Sequence, residues 1–158
     1  FGFGCVFDTI AQRQTESHSM TYTRPTQTLT DAALFGMLHA AQEKATEMGQ
    51  PQCIVIADTS AVVLASLRMA GARVLSMRSA TAKAMTAAST GNASGALPEA
   101  VRLAIGLASD GTMTGLPGGL PIRFGGVLVG GIGIGSGSGA QDEEVARAAL
   151  AAIGADAV

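Results

Sequence analysis

The sequence predicts an α+β domain in which a largely antiparallel sheet lies between layers of helix. Short β-branched segments are separated by turn residues, and apolar residues recur at helical spacing before, between and after them. In one of these segments Val62 and Leu64 face one way, while Val63, Ala65 and Leu67 face the other. Because both faces of this strand are apolar, we expect the sheet to be covered on both sides, as in an α-β-α sandwich.

The first helix is predicted over about residues 29–48. Its apolar stripe repeats at steps of four and three, through Leu34, Leu38, Ala41, Ala45 and Met48. Thr28 with an acidic residue three places later, Asp31, resembles a capping box, and Gly49 followed by Pro51 is typical of a helix end. A helix therefore precedes the first strand.

Two hairpins are predicted from strand and turn signals. The first joins QCIVIAD and VVLASLRM through residues 59–61, and the second joins PIRF and VLVGGIGIG through the paired glycines 125 and 126. In the first hairpin we expect Asp58 at the turn and Arg68 opposite Pro51 or Gln52, too far away for a salt bridge. A fifth strand is predicted around Met113.

Three further helices complete the predicted fold. One spans 76–89 and places Lys83 in a stripe of small side chains with Ser76, Ala80 and Ala87. Another begins near Pro98 and runs to about residue 108, before the turn at 109–111. The last begins at a capping-box spacing between Ser138 and Gln141 and presents the apolar residues Val145, Ala149 and Ile153.

Composition excludes several classes of function. The 158 residues are 47% hydrophobic and 14% charged, an apolar excess that we expect to be buried between subunits. A net charge of -2, without tryptophan, argues against a nucleic-acid partner. The uncharged run 124–141 holds eight glycines, so no membrane span is predicted. Cys5 and Cys53 form no CxxC pair, which argues against a zinc or redox site.

The chain divides into a short leader and one domain. Residues 1–19 show no secretion signal and are interpreted as a leader or a cloning-derived extension, and residues 20–158 as a single domain. Without an export signal, the expected location is the cytoplasm.

A glycine-rich segment joins the last strand to the last helix. Gly131, Gly133, Gly135, Gly137 and Gly139 leave one side of the chain bare, either for a flat ligand and the free N–H groups of the helix start, or for tight packing of a helix. The spacing is not GxGxxG and no P-loop follows, which disfavours a nucleotide. Ser136 lies within this segment and is a candidate ligand-binding residue.

Four polar residues are candidate functional residues, and three of them also carry a structural interpretation. Lys83 either holds an acid and moves protons in a pocket, or extends to solvent. Asp58 either transfers a proton or accepts turn N–H groups. His39 either ligates a haem iron or is a half-exposed helix residue; no metal-binding cluster accompanies it. Arg68 is a candidate clamp for a carboxylate.

Several of these motifs, taken in order, resemble the GlcG/HbpS-like proteins, which include the carboxy-terminal module of PduO-type proteins. The matching stretches are EKATEMGQP, IVIAD, LASLRMAGA, AKAMTAA, GGLPI and GGIGIGSGSGAQDEEVARAAL. The resemblance covers about residues 28–153. It implies a profilin-like α-β-α domain that forms homo-oligomers, and relatives that bind haem or lie beside bacterial catabolic genes.

The resemblance also implies site residues. The matched motif positions are Asp58, Arg68, Met69, Lys83, Gly118, Gly119, Pro121, Gly133, Gly135 and Asp142. Together with the candidates above, these positions predict catalytic roles for Lys83, Arg68 and Asp58, and ligand binding by Gly118, Gly119, Pro121, Gly133, Gly135, Ser136 and Lys83. No axial haem ligand matches a family motif; His39, Met77 and Met113 have suitable chemistry. The segment 91–114, which commonly borders the family's pocket, departs from the pattern.

Three functions follow as hypotheses. The leading one is a homo-oligomeric protein that binds haem or another tetrapyrrole as a small-molecule ligand. The second is a small catabolic enzyme, a lyase, hydratase or isomerase acting on a carboxylated metabolite. The third is an accessory subunit without chemistry.

Overall fold

The computed structural model describes residues 22–158 and contains a four-stranded antiparallel sheet. The predicted leader, residues 1–19, lies outside the described residues. Along the chain the elements are α1 (Asp31–Glu47), β1 (Cys53–Asp58), β2 (Val63–Arg68), α2 (Ser76–Thr90), a 3-10 turn (Ser94–Ala96), α3 (Glu99–Ala108), β3 (Gly119–Phe124), β4 (Val127–Gly135) and α4 (Gly139–Ala152). The strand order is β2-β1-β4-β3.

Helices cover both faces of the sheet, so the predicted α-β-α sandwich is confirmed. On one face α1 and α4 pack over isoleucines of β1, β3 and β4, in a core that includes Met37, Ile54, Ile56, Ile122, Ile132 and Ile134. On the other face α2 packs over Cys53, Val55 and Ala57 of β1 through Ala80 and Ala84. The second layer is built from small side chains, which lets α2 lie close to the sheet.

The bare face of β4 lies directly against α2. Because side chains alternate along a strand, Ile132 and Ile134 point to the α1–α4 core, while Gly131 and Gly133 point to α2. A Cβ on Gly133 would overlap the carbonyl oxygen of Ala80, and one on Gly131 would overlap the carbonyl oxygen of Ala84. These glycines therefore set how closely the helix backbone approaches the strand.

Most of the predicted helices and strands agree with the structure, and two predictions need correction. The N-cap of α1 is Thr30, whose Oγ1 accepts a 3.3 Å bond from the Ala33 amide, so the capping box predicted at Thr28 and Asp31 was wrong. The predicted box at the start of α4 is present, with Ser138 and Gln141 capping each other. Within the described residues no strand forms around Met113, because that segment is an irregular connection after α3.

The prediction that both faces of β2 are covered was wrong. β2 is an edge strand, and Val62, Val63 and Leu64 are exposed by 56%, 41% and 38%. Arg68 pairs with Cys53 rather than with Pro51 or Gln52, one residue from the predicted register, because a bulge interrupts the ladder between Ile56 and Ala57. Periodicity records that these side chains are apolar, but not which strand ends the sheet.

The contact between β4 and α2 yields a stability prediction. Gly133→Ala introduces a methyl group where the α2 backbone lies, so we expect a loss of about 1–3 kcal/mol or more in the free energy of unfolding. Gly106→Ala is the matched control, because its Cβ would lie 3.6 Å from the nearest atom outside its own helix, the Met113 carbonyl oxygen, and a helical alanine gains about 0.5–1 kcal/mol. Urea unfolding measures both; equal stability of the two variants would contradict the packing argument.

Candidate functional site

Two of the depressions that helix α2 borders contain predicted site residues. The first, here called the Lys83 cavity, has a volume of about 250 Å³ and is lined by Arg73, Ser76, Ser79, Lys83, Leu116, Pro117, Ser136, Gly137, Gly139 and Asp142. The second, here called the methionine groove, has a volume of about 530 Å³ and is lined by Met77, Arg78, Thr81, Ala82, Met85, Asp110, Gly111 and Thr112. The two sets share no residue.

A buried ion pair forms the floor of the Lys83 cavity. Lys83 Nζ donates to Asp142 Oδ2 at 2.6 Å and to the Ile134 carbonyl oxygen at 2.8 Å, and the two charged side chains are 6% and 2% exposed. Asp142 Oδ1 accepts from the Gly137 amide at 3.1 Å. Asp142 lies in the first turn of α4, where the helix dipole favours a carboxylate. The pair therefore ties α2, β4 and α4 together.

The Lys83 side chain reaches Asp142 because Gly118 leaves room for it. A Cβ on Gly118 would lie 2.5 Å from the Asp142 Cβ and 3.1 Å from Lys83 Nζ, and its φ of +107° is one that glycine accepts readily. The next residue, Gly119, faces the Lys83 carbonyl oxygen with the same lack of space. The GGLPI motif thus supplies the space for the ion pair.

Ser136 adds a second polar group to the cavity wall. It has φ +96°, which is uncommon for a residue with a side chain, and it is only 7% exposed. Its Oγ accepts a 3.0 Å bond from the Arg73 amide. The hydroxyl can still donate its own hydrogen.

The methionine groove is mainly apolar, and its lining includes one positively charged and one negatively charged side chain. Met77, Ala82 and Met85 of the lining belong to α2. The Thr81 hydroxyl donates to the Met77 carbonyl oxygen at 2.8 Å, so its hydrogen already has an acceptor within the helix. Arg78 belongs to α2, whereas Asp110 belongs to the turn after α3. The groove suits a flat apolar ligand with an acidic edge near Arg78.

The structure brings together only some of the predicted site residues. Lys83 and Ser136 line the same cavity, and Gly118 lies beside Lys83. The bare sides of Gly133 and Gly135 face the α2 backbone, and Pro121 is buried in β3 opposite Gly131. Those three positions contact protein in this structure, and ligand binding by them stays a prediction.

The other two predicted catalytic residues lie away from Lys83. Asp58 Oδ1 accepts from the amides of Ser60 and Val62 at 2.8 and 2.9 Å, the turn role weighed above. Asp58 pairs with Gly130, four residues along β4 from Ile134, which corresponds to about 13 Å. Arg68 lies on the edge strand, two strand spacings or about 10 Å from β4.

The candidate haem ligands are also separated. His39 is 70% exposed, with Nδ1 3.4 Å from Glu43 Oε2, on α1 and thus on the opposite face of the sheet from α2. Met113 is half-buried but does not line the methionine groove, whereas Met77 does. In the described part of the chain, no three His, Cys, Asp or Glu side chains cluster as metal ligands would.

Sequence reasoning missed Arg73, Ser76 and Ser79 as cavity residues. A signal was available for two of them, because Ser76, Ser79 and Lys83 have the i, i+3, i+7 spacing of one helix face. Arg73 lies in the irregular connection between β2 and α2, where periodicity carries no information. Only the packing of that connection on Ser136 brings it to the cavity.

A buried free thiol, Cys53, lies near this region. Burial raises the pKa of Cys53, and the Asp142 charge adds to the rise while the Arg68 charge opposes it. Its Sγ donates to the Arg73 carbonyl oxygen at 3.6 Å. A thiol with a raised pKa is less reactive, because the thiolate is the attacking form.

None of the helices in residues 22–158 is long and apolar enough to cross a membrane.

Comparison with known proteins identifies relatives of this fold. The family model described as haem degrading protein HbpS-like matches residues 29–151. The corrinoid adenosyltransferase PduO of Citrobacter freundii is 32% identical over 154 residues, which are 94% of this chain but 46% of PduO. The chain therefore spans less than half the length of that relative.

Two solved structures of the same fold are similar along nearly their whole length. The crystal structure of a PduOC–haem complex has 29% identity and a TM-score of 0.77, covering 82% of this chain and 98% of that one. The crystal structure of HbpS has 33% identity and a TM-score of 0.73, covering 82% of this chain and 93% of HbpS. Haem is thus bound by a protein of closely similar architecture.

Loss of the buried cation gives a second stability prediction. Lys83→Met keeps the side-chain length but leaves Asp142 buried without its partner, so we expect a loss of about 3–5 kcal/mol in the free energy of unfolding. The double variant Lys83→Met with Asp142→Leu removes both charges and is expected to recover part of that loss. Denaturant unfolding measures both variants.

Lys44 provides the matched surface control. Its Nζ lies 2.8 Å from Glu144 Oε1, but both side chains are partly exposed, and we expect Lys44→Met to have little effect because water screens the pair. Equal losses for Lys44→Met and Lys83→Met would contradict the structural role assigned to the buried pair.

Proposed function

The chain belongs to the HbpS-like family, and from that premise we propose that it binds haem or a closely related tetrapyrrole in the methionine groove. One observation carries the proposal: the groove combines an apolar wall, two thioethers and a guanidinium on one side of α2. The similarity to a PduOC–haem complex supports haem as the ligand.

The size and chemistry of the groove fit a haem. Its volume of about 530 Å³ falls within the ~300–1,000 Å³ of cofactor pockets, whereas the Lys83 cavity at about 250 Å³ is smaller than this range. Thioether sulfur is a known axial ligand of haem iron, and Met77 and Met85 both line the groove. Arg78 is suited to a propionate, whose charge Asp110 would repel, so the two residues orient the ligand.

The chain's own residues determine what a bound haem does. Haem iron supplies redox chemistry and the binding of small molecules, at a potential set by its ligand and surroundings. Met77, Ala82 and Met85 would exclude water from the macrocycle, and Arg78 would hold its acidic edge. Residues 110–112, which complete the groove, belong to the segment whose sequence is expected to depart from the family pattern.

We also propose that the protein is a homo-oligomer. Helix α3 has no buried residue, and its Leu103 and Leu107 are 76% and 71% exposed. The edge strand β2 adds Val63 and Leu64. Exposed apolar side chains on a helix and on an edge strand favour burial against a second copy. A cytoplasmic location stays a prediction from the sequence, and a gene position beside bacterial catabolic genes stays a prediction from the family resemblance.

The enzyme and accessory-subunit alternatives remain hypotheses. For an enzyme acting on a carboxylated metabolite, Lys83 and Arg68 line separate depressions, and Asp58 accepts turn amides, so the structure does not bring the three predicted catalytic residues together. For an accessory subunit, the exposed face of α3 is the supporting observation.

Haemin titration tests the groove. We expect a saturable Soret change at micromolar protein, a changed spectrum in the double variant Met77→Leu with Met85→Leu, and roughly tenfold weaker binding in Arg78→Gln, which loses a charge-assisted hydrogen bond. His39→Gln is the control, since His39 lies on the opposite face of the sheet. A spectrum altered by His39→Gln and unchanged in the methionine variant would overturn the proposed location.

Light scattering tests self-association. We expect a solution mass that is a multiple of 15.8 kDa and a smaller mass for the double variant Leu103→Ser with Leu107→Ser, because that variant removes exposed apolar area without touching the core. Phe35→Ser serves as the control, since Phe35 is 71% exposed on α1. A monomeric wild-type protein would refute the proposal.

A further inference from the structure

We propose that the Lys83 cavity is a second binding site, for a small organic carboxylate, and that it works independently of the methionine groove. The cavity contains a buried ammonium group and a buried hydroxyl that each keep hydrogen-bonding capacity. Its size and its wall both point to a ligand much smaller than a tetrapyrrole.

The charges at the cavity favour an anion. Lys83 and Asp142 neutralise each other, and Arg73, an exposed residue of the lining, adds one positive charge. Of the three hydrogens on Lys83 Nζ, two have acceptors, in Asp142 and Ile134, and one is left. The cavity therefore has an excess of donors and of positive charge.

Ser136 is the second and independent observation. It is buried, with 7% of its surface exposed, and its Oγ accepts a bond from the Arg73 amide. A hydroxyl that accepts one bond can still donate its own hydrogen, and an anion in the cavity would receive it. A carboxylate oxygen supplies that acceptor.

The rest of the wall favours an organic anion over a purely inorganic one. Leu116 and Pro117 line the cavity together with the polar groups. A volume of about 250 Å³ is below the ~300 Å³ at which drug-sized pockets begin, which restricts the ligand to a few carbon atoms. We therefore expect a short carboxylate to bind more tightly than phosphate.

Independence from the groove follows from helix geometry. Lys83 and Met85 are two residues apart on α2, a rotation of about 200° that directs their side chains to nearly opposite sides. The two linings share no residue. A ligand in one site thus leaves the contacts of the other intact.

Calorimetric titration of the full chain with L-lactate tests the site, with lactamide and inorganic phosphate as comparisons. Lactamide has the same carbon skeleton without the charge. We expect saturable binding of lactate, binding of phosphate at least several-fold weaker, and no binding of lactamide. Absence of lactate binding, or equal binding of lactate and phosphate, would overturn the proposal.

Two arginines give a matched pair of variants. Arg73→Gln is expected to weaken lactate binding roughly tenfold or more and to leave haemin binding unchanged, because Arg73 lines only the cavity. Arg78→Gln is expected to do the reverse, because Arg78 lines only the groove. Since Lys83→Met is expected to be unstable, Ser136→Gly provides the further variant: glycine accepts the positive φ but lacks the hydroxyl, so we expect a folded protein with weakened lactate binding.

The same pair separates the two proposals. Lactate binding that is lost in Arg73→Gln supports the carboxylate site even if haemin does not bind at all. Haemin binding without lactate binding supports the groove and refutes the carboxylate site. An equal effect of Arg73→Gln and Arg78→Gln on lactate would show a general effect of charge and would likewise refute it.

Discussion

The close contact between the bare face of β4 and the backbone of α2 is the constraint on which the rest of the structure depends. Gly131 and Gly133 have no side chain on this face, so the carbonyl oxygens of Ala84 and Ala80 lie where a Cβ would be. Any other residue there would push the helix away from the sheet. At this short distance Lys83 lies beside the end of β4 near α4, and Met77 and Met85 line the groove on another side of α2.

The short distance between α2 and the sheet determines the shape of both candidate sites. Because the helix is close, the Lys83 ammonium reaches the Ile134 carbonyl oxygen and Asp142, and a second glycine contact at Gly118 admits it. A buried ion pair adds little net stability compared with an apolar pair, but it is costly to break and it holds three elements in one arrangement. The pair thus keeps the cavity in shape, while the opposite side of the same helix forms the groove.

Function in this family is a property of the sites rather than of the sandwich alone. The chain shares its architecture with haem-bound PduOC, while part of its groove comes from residues 110–112, in the turn after α3. The residues that would bind a ligand are Met77, Arg78 and Met85 in the groove, and Lys83 with Ser136 in the cavity.

Local signals in the sequence determined the helices, both hairpins, the Ser138 cap and the layer order, because periodicity, paired glycines and capping residues act over a few neighbouring residues. The same signals placed Lys83 on a stripe of small side chains and raised helix packing as one role for the β4 glycines. Tertiary structure alone decided that β2 is the sheet edge, that Asp58 and Arg68 lie apart from Lys83, and that Arg73 joins it. Those outcomes depend on strand order and on contacts between residues more than fifty positions apart, which no local pattern encodes.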